Sequence, residues 1–312
     1  MQTMKAVRVH AYGGPEVLKY EDAPRPEVGS GELLIRIHAA GVNPVDWKVR
    51  EGYLKDAIKY SLPMIPGWDF SGIVEEAGAG VRRLKQGAEV FCFPGLARSG
   101  SYAEFIAVPE EVVALKPKSF DQVHAAALPV AGLTAWQALF DVAKLGARQK
   151  VLIHAAAGGV GSVAVQLAKW KGARVIGTAS ARNQAFVREL GADEVIDYEQ
   201  ARFESLVRDA DAVFDTIGGE TQTRSFDVLK KGGILVSIVS PPSAEEAARH
   251  GVRQAHHMVQ PNAAQLAEIA KLADSGKLKV SVEAVLPLSE ARRAHEMSQS
   301  GHTRGKIVLR VI

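Results

Sequence analysis

The run Val151-Leu152-Ile153-His154-Ala155-Ala156-Ala157-Gly158-Gly159-Val160-Gly161 carries the strongest chemical signal in the chain. An apolar strand enters a tight glycine turn and a helix opens behind it. Such a turn brings backbone close to a pyrophosphate, and the helix start presents free N–H groups and a partial positive charge to its oxygens. Against the pattern G-x-G-x-x-G, Ala156 replaces the first glycine, while Gly158 and Gly161 hold the other two places. Alone the pattern is weak, and a turn that merely packs helix on strand is the alternative. Its place between strand and helix in a repeated series gives it weight.

The residues further on bear on which dinucleotide fits. A site for NAD sets Asp or Glu about 20 residues on, against the ribose 2′-hydroxyl. Here the segment reads Gly177-Thr178-Ala179-Ser180-Ala181-Arg182-Asn183, and no acid appears before Glu189. An anion would repel a 2′-phosphate, whereas Arg182 and Ser180 would pair with it or hydrogen-bond to it. NADPH is the cofactor these residues favour; the plainer reading makes Arg182 a solvated charge near a helix start.

A parallel sheet must position these groups. From Lys150 the pattern alternates: strands at Val151–His154, Arg174–Thr178, Glu194–Asp197, Ala212–Asp215 and Ile234–Val239, helices at Gly161–Lys171 and Asn183–Leu190. Strands alternating with helices imply right-handed crossovers in a doubly wound sheet. The first 120 residues read as mostly β, with short runs such as Leu33–His38, Gly72–Glu75 and Glu89–Phe93 between Gly/Pro clusters. Asp121 caps a predicted helix over Gln122–Ala127, and a second covers Thr134–Lys144 and stops at Gly146. An amphipathic helix follows at Ala263–Asp274. The strand-like pieces Val280–Leu286 and Lys306–Val311 resemble the N-terminal half, so the C-terminus is expected to return to it. Two domains are predicted, 1–120 with 260–312 and 121–259.

Composition bounds the remaining choices. With 312 residues, 47% hydrophobic and 23% charged, the chain is an ordinary globular protein long enough for two cores. A formal charge of +3, spread along the chain, makes no case for a nucleic-acid or membrane partner. Cys92 is the one cysteine, which rules out an internal disulfide and a four-thiolate zinc site. Val151–Ala168 is apolar but is broken at Gly158-Gly159, so a strand, turn and helix explain it better than a membrane span. No secretory signal precedes Lys5-Ala6-Val7, and a cytoplasmic location is expected.

The chain resembles the zinc-independent quinone oxidoreductase branch of the medium-chain dehydrogenase/reductase superfamily along essentially its whole length. The resemblance rests on Lys5-Ala6-Val7 with Gly13-Gly14-Pro15-Glu16-Val17-Leu18, on Ala40-Gly41-Val42-Asn43-Pro44-Val45-Asp46, and on Ile65-Pro66-Gly67-Trp68-Asp69-Phe70-Ser71-Gly72. Leu128-Pro129, Gly132-Leu133-Thr134-Ala135 and Gly305-Lys306-Ile307-Val308-Leu309 complete it. It implies an α/β build: a GroES-like β-barrel domain plus a Rossmann doubly wound parallel-sheet domain. Carried over by position, Asn43 and Thr134 would lie beside the nicotinamide and its ribose. Gly158, Gly159 and Val160 would hold the pyrophosphate, with Gly161 behind them. Ser180, Arg182 and Tyr198 would surround the 2′-phosphate, and Thr178 joins the cofactor-binding set at the strand end. Ile217, Ser237 and Ile238 would border the nicotinamide half, and Lys306 would approach from the returning tail. Relatives commonly dimerise through the last Rossmann strand, here about Val252–Val259.

In the alcohol dehydrogenases of this superfamily, catalytic zinc is held by a cysteine, a Gly-His-Glu motif and a later cysteine or acid. Asp46 stands at the cysteine position and Gly67-Trp68-Asp69 at the motif, and Trp68 supplies no ligand. His256 and His257, adjacent in a strand, point to opposite faces and read as surface or interface residues. Without a Lewis acid the acceptor must already be electrophilic. The resemblance therefore implies hydride transfer from NADPH to a quinone or α,β-unsaturated carbonyl compound, with cofactor chemistry and protein orientation. Asn43 is the candidate donor to the developing oxygen. Tyr53 is a candidate proton source or else a core residue, and Asp46 either takes part or caps a helix beginning at Trp47. The alternative is an NADPH-binding sensor or interaction protein with little turnover.

Overall fold

The computed structural model describes residues 2–98 and 100–312. The chain divides into two compact units: Met1–Val130 with Gln260–Gly276 and Val280–Ile312, and Ala131–Val259 with Lys277–Lys279. The first boundary lies beyond the expected residue 120. Helix Gln122–Ala126 explains this, because Ala126 and Ala127 pack with Ala39 and Val308 in the core of the first unit.

The first unit is built on a seven-stranded sheet ordered Val282–Pro287, Lys306–Arg310, Glu32–Val42, Asp69–Ala77, Glu89–Cys92, Val113–Leu115, with Phe105–Pro109 also on Glu32–Val42. The long strand Glu32–Val42 can serve several partners because its register shifts at Leu34/Ile35 and Ile37/Ala39, where irregularities bend and twist a strand. Its inward residues Leu33, Ile35 and Ile37 meet Phe70, Val74, Val90 and Ile106 in the barrel core. The C-terminal strand Lys306–Arg310 does return, pairing antiparallel with Val42–Ala39. That pairing sets Lys306 just beyond the end of the strand that leads into Asn43.

The second unit carries a six-stranded sheet in the order Glu194–Asp197, Arg174–Ala179, Lys150–Ile153, Ala210–Asp215, Leu229–Ser237, Arg253–His256, with every pair parallel. The first strand in sequence is central, and the chain winds outward on one side and then the other. This is the doubly wound Rossmann order, and its reversal point lies between Lys150–Ile153 and Ala210–Asp215. Val151, Leu152 and Ile153 are fully buried, as a parallel strand covered on both faces requires. Helix Gly159–Trp170 starts two residues before its predicted onset and buries every residue from Gly161 to Ala168. The helix expected over Thr134–Lys144 starts earlier, at Pro129: Pro129–Trp136 is α-helical and Gln137–Val142 continues as a π-helix. Proline at a first helical position loses no intrahelical bond. The last strand is four residues, Arg253–His256, shorter than the expected Val252–Val259, and it forms one edge of the sheet.

Candidate functional site

In the first unit, strand Glu32–Val42 hands over to Asn43, which starts helix Pro44–Arg50. Asp46 is therefore not the cap of a helix beginning at Trp47. It is the third residue of a helix that begins at Pro44, and its Oδ2 accepts the Asn43 N–H at 2.8 Å. The capping-box arrangement satisfies one of the orphan donors at a helix start. The same oxygen accepts the Tyr102 hydroxyl at 2.7 Å, while Oδ1 has no partner among the described residues. Burial pushes the Asp46 carboxyl up to about 7, against the opposing pull of Asn43, Tyr102 and Lys306.

The Asn43 side chain is held from both ends. Its Nδ2 donates to Asp69 Oδ2 at 2.8 Å, and Lys306 Nζ donates to its Oδ1. Lys306 also pairs with Asp69 at 3.1 Å, and Asp69 Oδ1 accepts the Val130 N–H at 2.6 Å. Asn43, Asp46, Asp69 and Lys306 are all buried, as is Tyr102. Burial raises the Asp69 carboxyl, and Lys306 with Asn43 works against that rise. The amide orientation is thus fixed by its neighbours: oxygen toward an ammonium, one N–H toward a carboxylate, the second N–H with no bond to a described residue.

Tyr53 does not join this group and is not a core residue. Gly52, at φ 85°, ends the helix turn, and Tyr53 beyond it is 67% exposed with its ring edge-on to Trp47 at 6.0 Å. Trp68 is fully buried and its indole N–H donates to Arg98 O at 3.2 Å. Among the described residues, no group of three or more His, Cys, Asp or Glu side chains is placed to hold a metal ion. His256 is exposed, and His257 is half-buried and bonded to Gln137 at 3.1 Å.

In the second unit, the glycine turn leaves strand Lys150–Ile153 at the reversal point of the sheet. Ala155 turns the chain at φ 45°, its carbonyl accepts the Gly158 N–H at 2.9 Å, and Gly158 becomes the cap residue of the helix. No side chain caps that helix start, so its first N–H groups remain available to an anion. A Cβ on Gly161 would stand 2.2 Å from Ala155 O, so this glycine is required by close packing. Ala156 is tolerated in place of the first glycine because the opposite residue is Gly177, where a Cβ would come within 2.8 Å of the Ala156 Cβ. The residues present fit a dinucleotide pyrophosphate.

The neighbouring strand ends place the other expected residues. Thr178 is buried, and its hydroxyl accepts the Ala155 N–H at 3.2 Å. Ser180 follows the strand, accepts Asn183 Nδ2 at 3.3 Å, and leads into a 3₁₀ turn carrying the exposed Arg182. Asp197, in register with Ala179, is the nearest strand-end acid. It is engaged by the Glu199 N–H at 3.0 Å and by Gln184 at 3.5 Å. Tyr198 beside it is 52% exposed. Ile217 is exposed on a turn held by Asp215, which accepts the N–H groups of Ile217 and Gly218 at 2.9 Å. Ser237 is buried, with its hydroxyl accepting from Val239 and Ser240, and Ile238 donates its N–H to Asp215 O. Thr134 is buried in helix Pro129–Trp136.

Three residues that carry much of this geometry were not singled out from sequence. Asp69 read only as a failed zinc motif, Tyr102 had no local signal, and His154 looked like part of an apolar strand. His154 is buried, and burial holds its imidazole down at about 4.

Two family models match parts of the chain. Residues 190–309 match the family model for zinc-binding dehydrogenases, and residues 29–118 that for the alcohol dehydrogenase GroES-like domain. The chain is 37% identical over 320 residues to the chloroplastic NADPH-dependent alkenal/one oxidoreductase of Arabidopsis thaliana, covering 98% of this chain and 79% of that protein. The structure of a quinone oxidoreductase from Coxiella burnetii superposes with a TM-score of 0.93 at 38% identity, covering 100% of both chains. That of an Escherichia coli quinone oxidoreductase complexed with NADPH gives 0.91 at 29% identity, covering 98% of this chain and 100% of the other.

Proposed function

This chain belongs to the quinone oxidoreductase branch of the medium-chain dehydrogenase/reductase superfamily, and from that premise we propose that it is a zinc-independent reductase using NADPH on a quinone or α,β-unsaturated carbonyl compound. The observation that carries the reading is the uncapped glycine turn at the sheet reversal, followed by Ser180 and Arg182 where an NAD site would set an acid. Gly158, Gly159 and Val160 hold the pyrophosphate, Gly161 gives the turn its close packing, and Ser180, Arg182 and Tyr198 receive the 2′-phosphate. The relatives whose printed names mention NADPH support the same cofactor.

Bound NADPH supplies a hydride to an acceptor that is already electrophilic. The chain's own contribution is orientation and charge. Lys306 and Asp69 fix the Asn43 amide, and its remaining N–H serves the substrate oxygen on which negative charge develops. Zinc independence is supported by Trp68 at a ligand position and by the commitment of Asp46 and Asp69 to Tyr102, Asn43 and Lys306. The lone Cys92 suits a reducing compartment such as the cytoplasm. Arg253–His256 offers an unpaired sheet edge for a symmetric dimer. NADPH oxidation over a panel of quinones and enones, with and without a chelator, tests the assignment. Turnover with several of these acceptors, insensitive to chelation, is the expected result. Saturable NADPH binding with no oxidation by any acceptor would favour a sensor, and chelator-sensitive turnover would overturn zinc independence.

A further inference from the structure

The glycine turn rests on a directional chain of hydrogen bonds that runs through His154. Each hydroxyl in that chain has one proton to give, so the direction can be worked out. Ser225 Oγ donates to Thr221 O at 2.7 Å, which spends its proton. Its contact with His154 Nε2 at 2.9 Å must therefore be one it accepts, and Nε2 carries the hydrogen. In a neutral ring Nδ1 is then the acceptor, and its partner at 3.2 Å is the Thr178 hydroxyl. Thr178 Oγ1, having given its proton to Nδ1, accepts the Ala155 N–H at 3.2 Å. Every donor in the chain is used once; in the other tautomer either Ser225 and Nε2 share no proton or Ser225 turns from Thr221 O to Nε2, and in both cases the Thr178 hydroxyl proton has no acceptor among the described residues.

What the chain holds in place is an unfavourable piece of backbone. Ala155 is a non-glycine residue at φ 45°, a left-handed conformation that a Cβ disfavours. Its N–H is fixed by Thr178, and its carbonyl in turn accepts the Gly158 N–H that sets the helix start. The His154 carbonyl is also engaged, accepting the Thr216 hydroxyl at 2.9 Å from the turn after strand Ala210–Asp215. The ring itself is wedged edge-on against Phe203 at 4.7 Å, so it has little freedom to reorient.

We propose that His154, as its neutral Nε2–H tautomer, is a positioning residue for the dinucleotide: it holds Ala155 in the left-handed conformation and thereby presents the Gly158–Gly161 turn to the pyrophosphate. The role rests on the reading that this turn binds NADPH. His154 touches no cofactor atom in this account and acts through Thr178 and Ala155. The arrangement ties the turn to the segment Thr221–Ser225, so a change remote from the pyrophosphate subsite should be felt there.

Two variants separate this role from plain packing. Ser225→Ala removes the acceptor that selects the tautomer but leaves the ring, Thr178 and the glycine turn untouched. His154→Asn keeps an oxygen near the Nδ1 position for Thr178 while losing the Ser225 link. Long-range ¹H–¹⁵N spectra of the imidazoles and NADPH titrations followed by nicotinamide fluorescence are recorded for the parent and both variants. The parent should show a pyrrole-type Nε2 and a pyridine-type Nδ1 for His154. Ser225→Ala should mix the tautomers and weaken NADPH binding about tenfold, the worth of one hydrogen bond, while His154→Asn should bind more nearly as the parent does. A protonated Nδ1 in the parent would overturn the proposal, as would parent-like NADPH affinity in a Ser225→Ala protein whose tautomers are mixed. If the parent binds no NADPH at all, the functional reading fails and the role falls with it, and the spectra still report the tautomer separately.

Discussion

Asp46→Asn isolates the cost of burying one carboxyl beside Asn43. The group is fully buried, and burial moves its pKa from an ordinary 3.8 to about 7. Between those values the folded chain keeps a proton that the unfolded chain has released. The native state then binds more protons, so stability falls as pH rises through the window and is level above it. Asparagine does not titrate there, and its Oδ1 can still accept from the Asn43 N–H and the Tyr102 hydroxyl. Its amide nitrogen takes the place of the unpartnered Asp46 Oδ1, a pH-independent change that cancels when one pH is compared with another. At 1.36 kcal/mol per pKa unit, the variant-minus-parent difference in unfolding free energy should move by about 3 kcal/mol in the variant's favour between about pH 5 and about pH 9. Urea unfolding of both proteins across that range measures it, and slopes unchanged between the two keep the extrapolations comparable. A difference that stays flat with pH would refute the claim that this carboxyl is held protonated by its burial.

Further outcomes follow from the same contacts. Lys306→Met leaves Asp69 buried without its ammonium, and should destabilise the protein by about 3–5 kcal/mol at neutral pH. That loss should shrink in acid as Asp69 takes up a proton, which urea unfolding at two pH values will show. Gly161→Ala places a Cβ against Ala155 O and should cost about 1–3 kcal/mol by thermal unfolding, with weaker NADPH binding by titration. Arg182→Asp should weaken NADPH and relatively favour NADH in parallel titrations; an unchanged preference would mean that the 2′-phosphate is held elsewhere.

The elements that position the candidate site were legible wherever a local rule fixed them. The apolar run Val151–Ile153, the glycines behind it and the missing acid near Ser180 are neighbours in sequence, so strand, turn and helix could be placed from pattern alone. The return of Lys306–Arg310 to the first unit was likewise readable from its likeness to the N-terminal strands. The polar interior was not. Asp69 gains its meaning from Lys306, separated by 237 positions, and Tyr102 from Asp46, separated by 56. No periodicity reports such pairs. His154 was hidden for a related reason, since its partners Thr178 and Ser225 come from later strands and turns. Tyr53, expected as a proton source or a core residue, is exposed because Gly52 turns the chain at positive φ after helix Pro44–Arg50, and no apolar pattern announces that turn.

On the proposed function, a hydride passes from NADPH, seated on the Gly158–Gly161 turn, to a carbon of a conjugated carbonyl compound. Incubation with an enone and NADPH deuterated at C4 on either face locates the transferred label in the saturated product. Deuterium from one face only, bound at the carbon β to the carbonyl, is the predicted outcome. Product without cofactor-derived deuterium, or NADPH left unoxidised beside every conjugated acceptor tried, would contradict it.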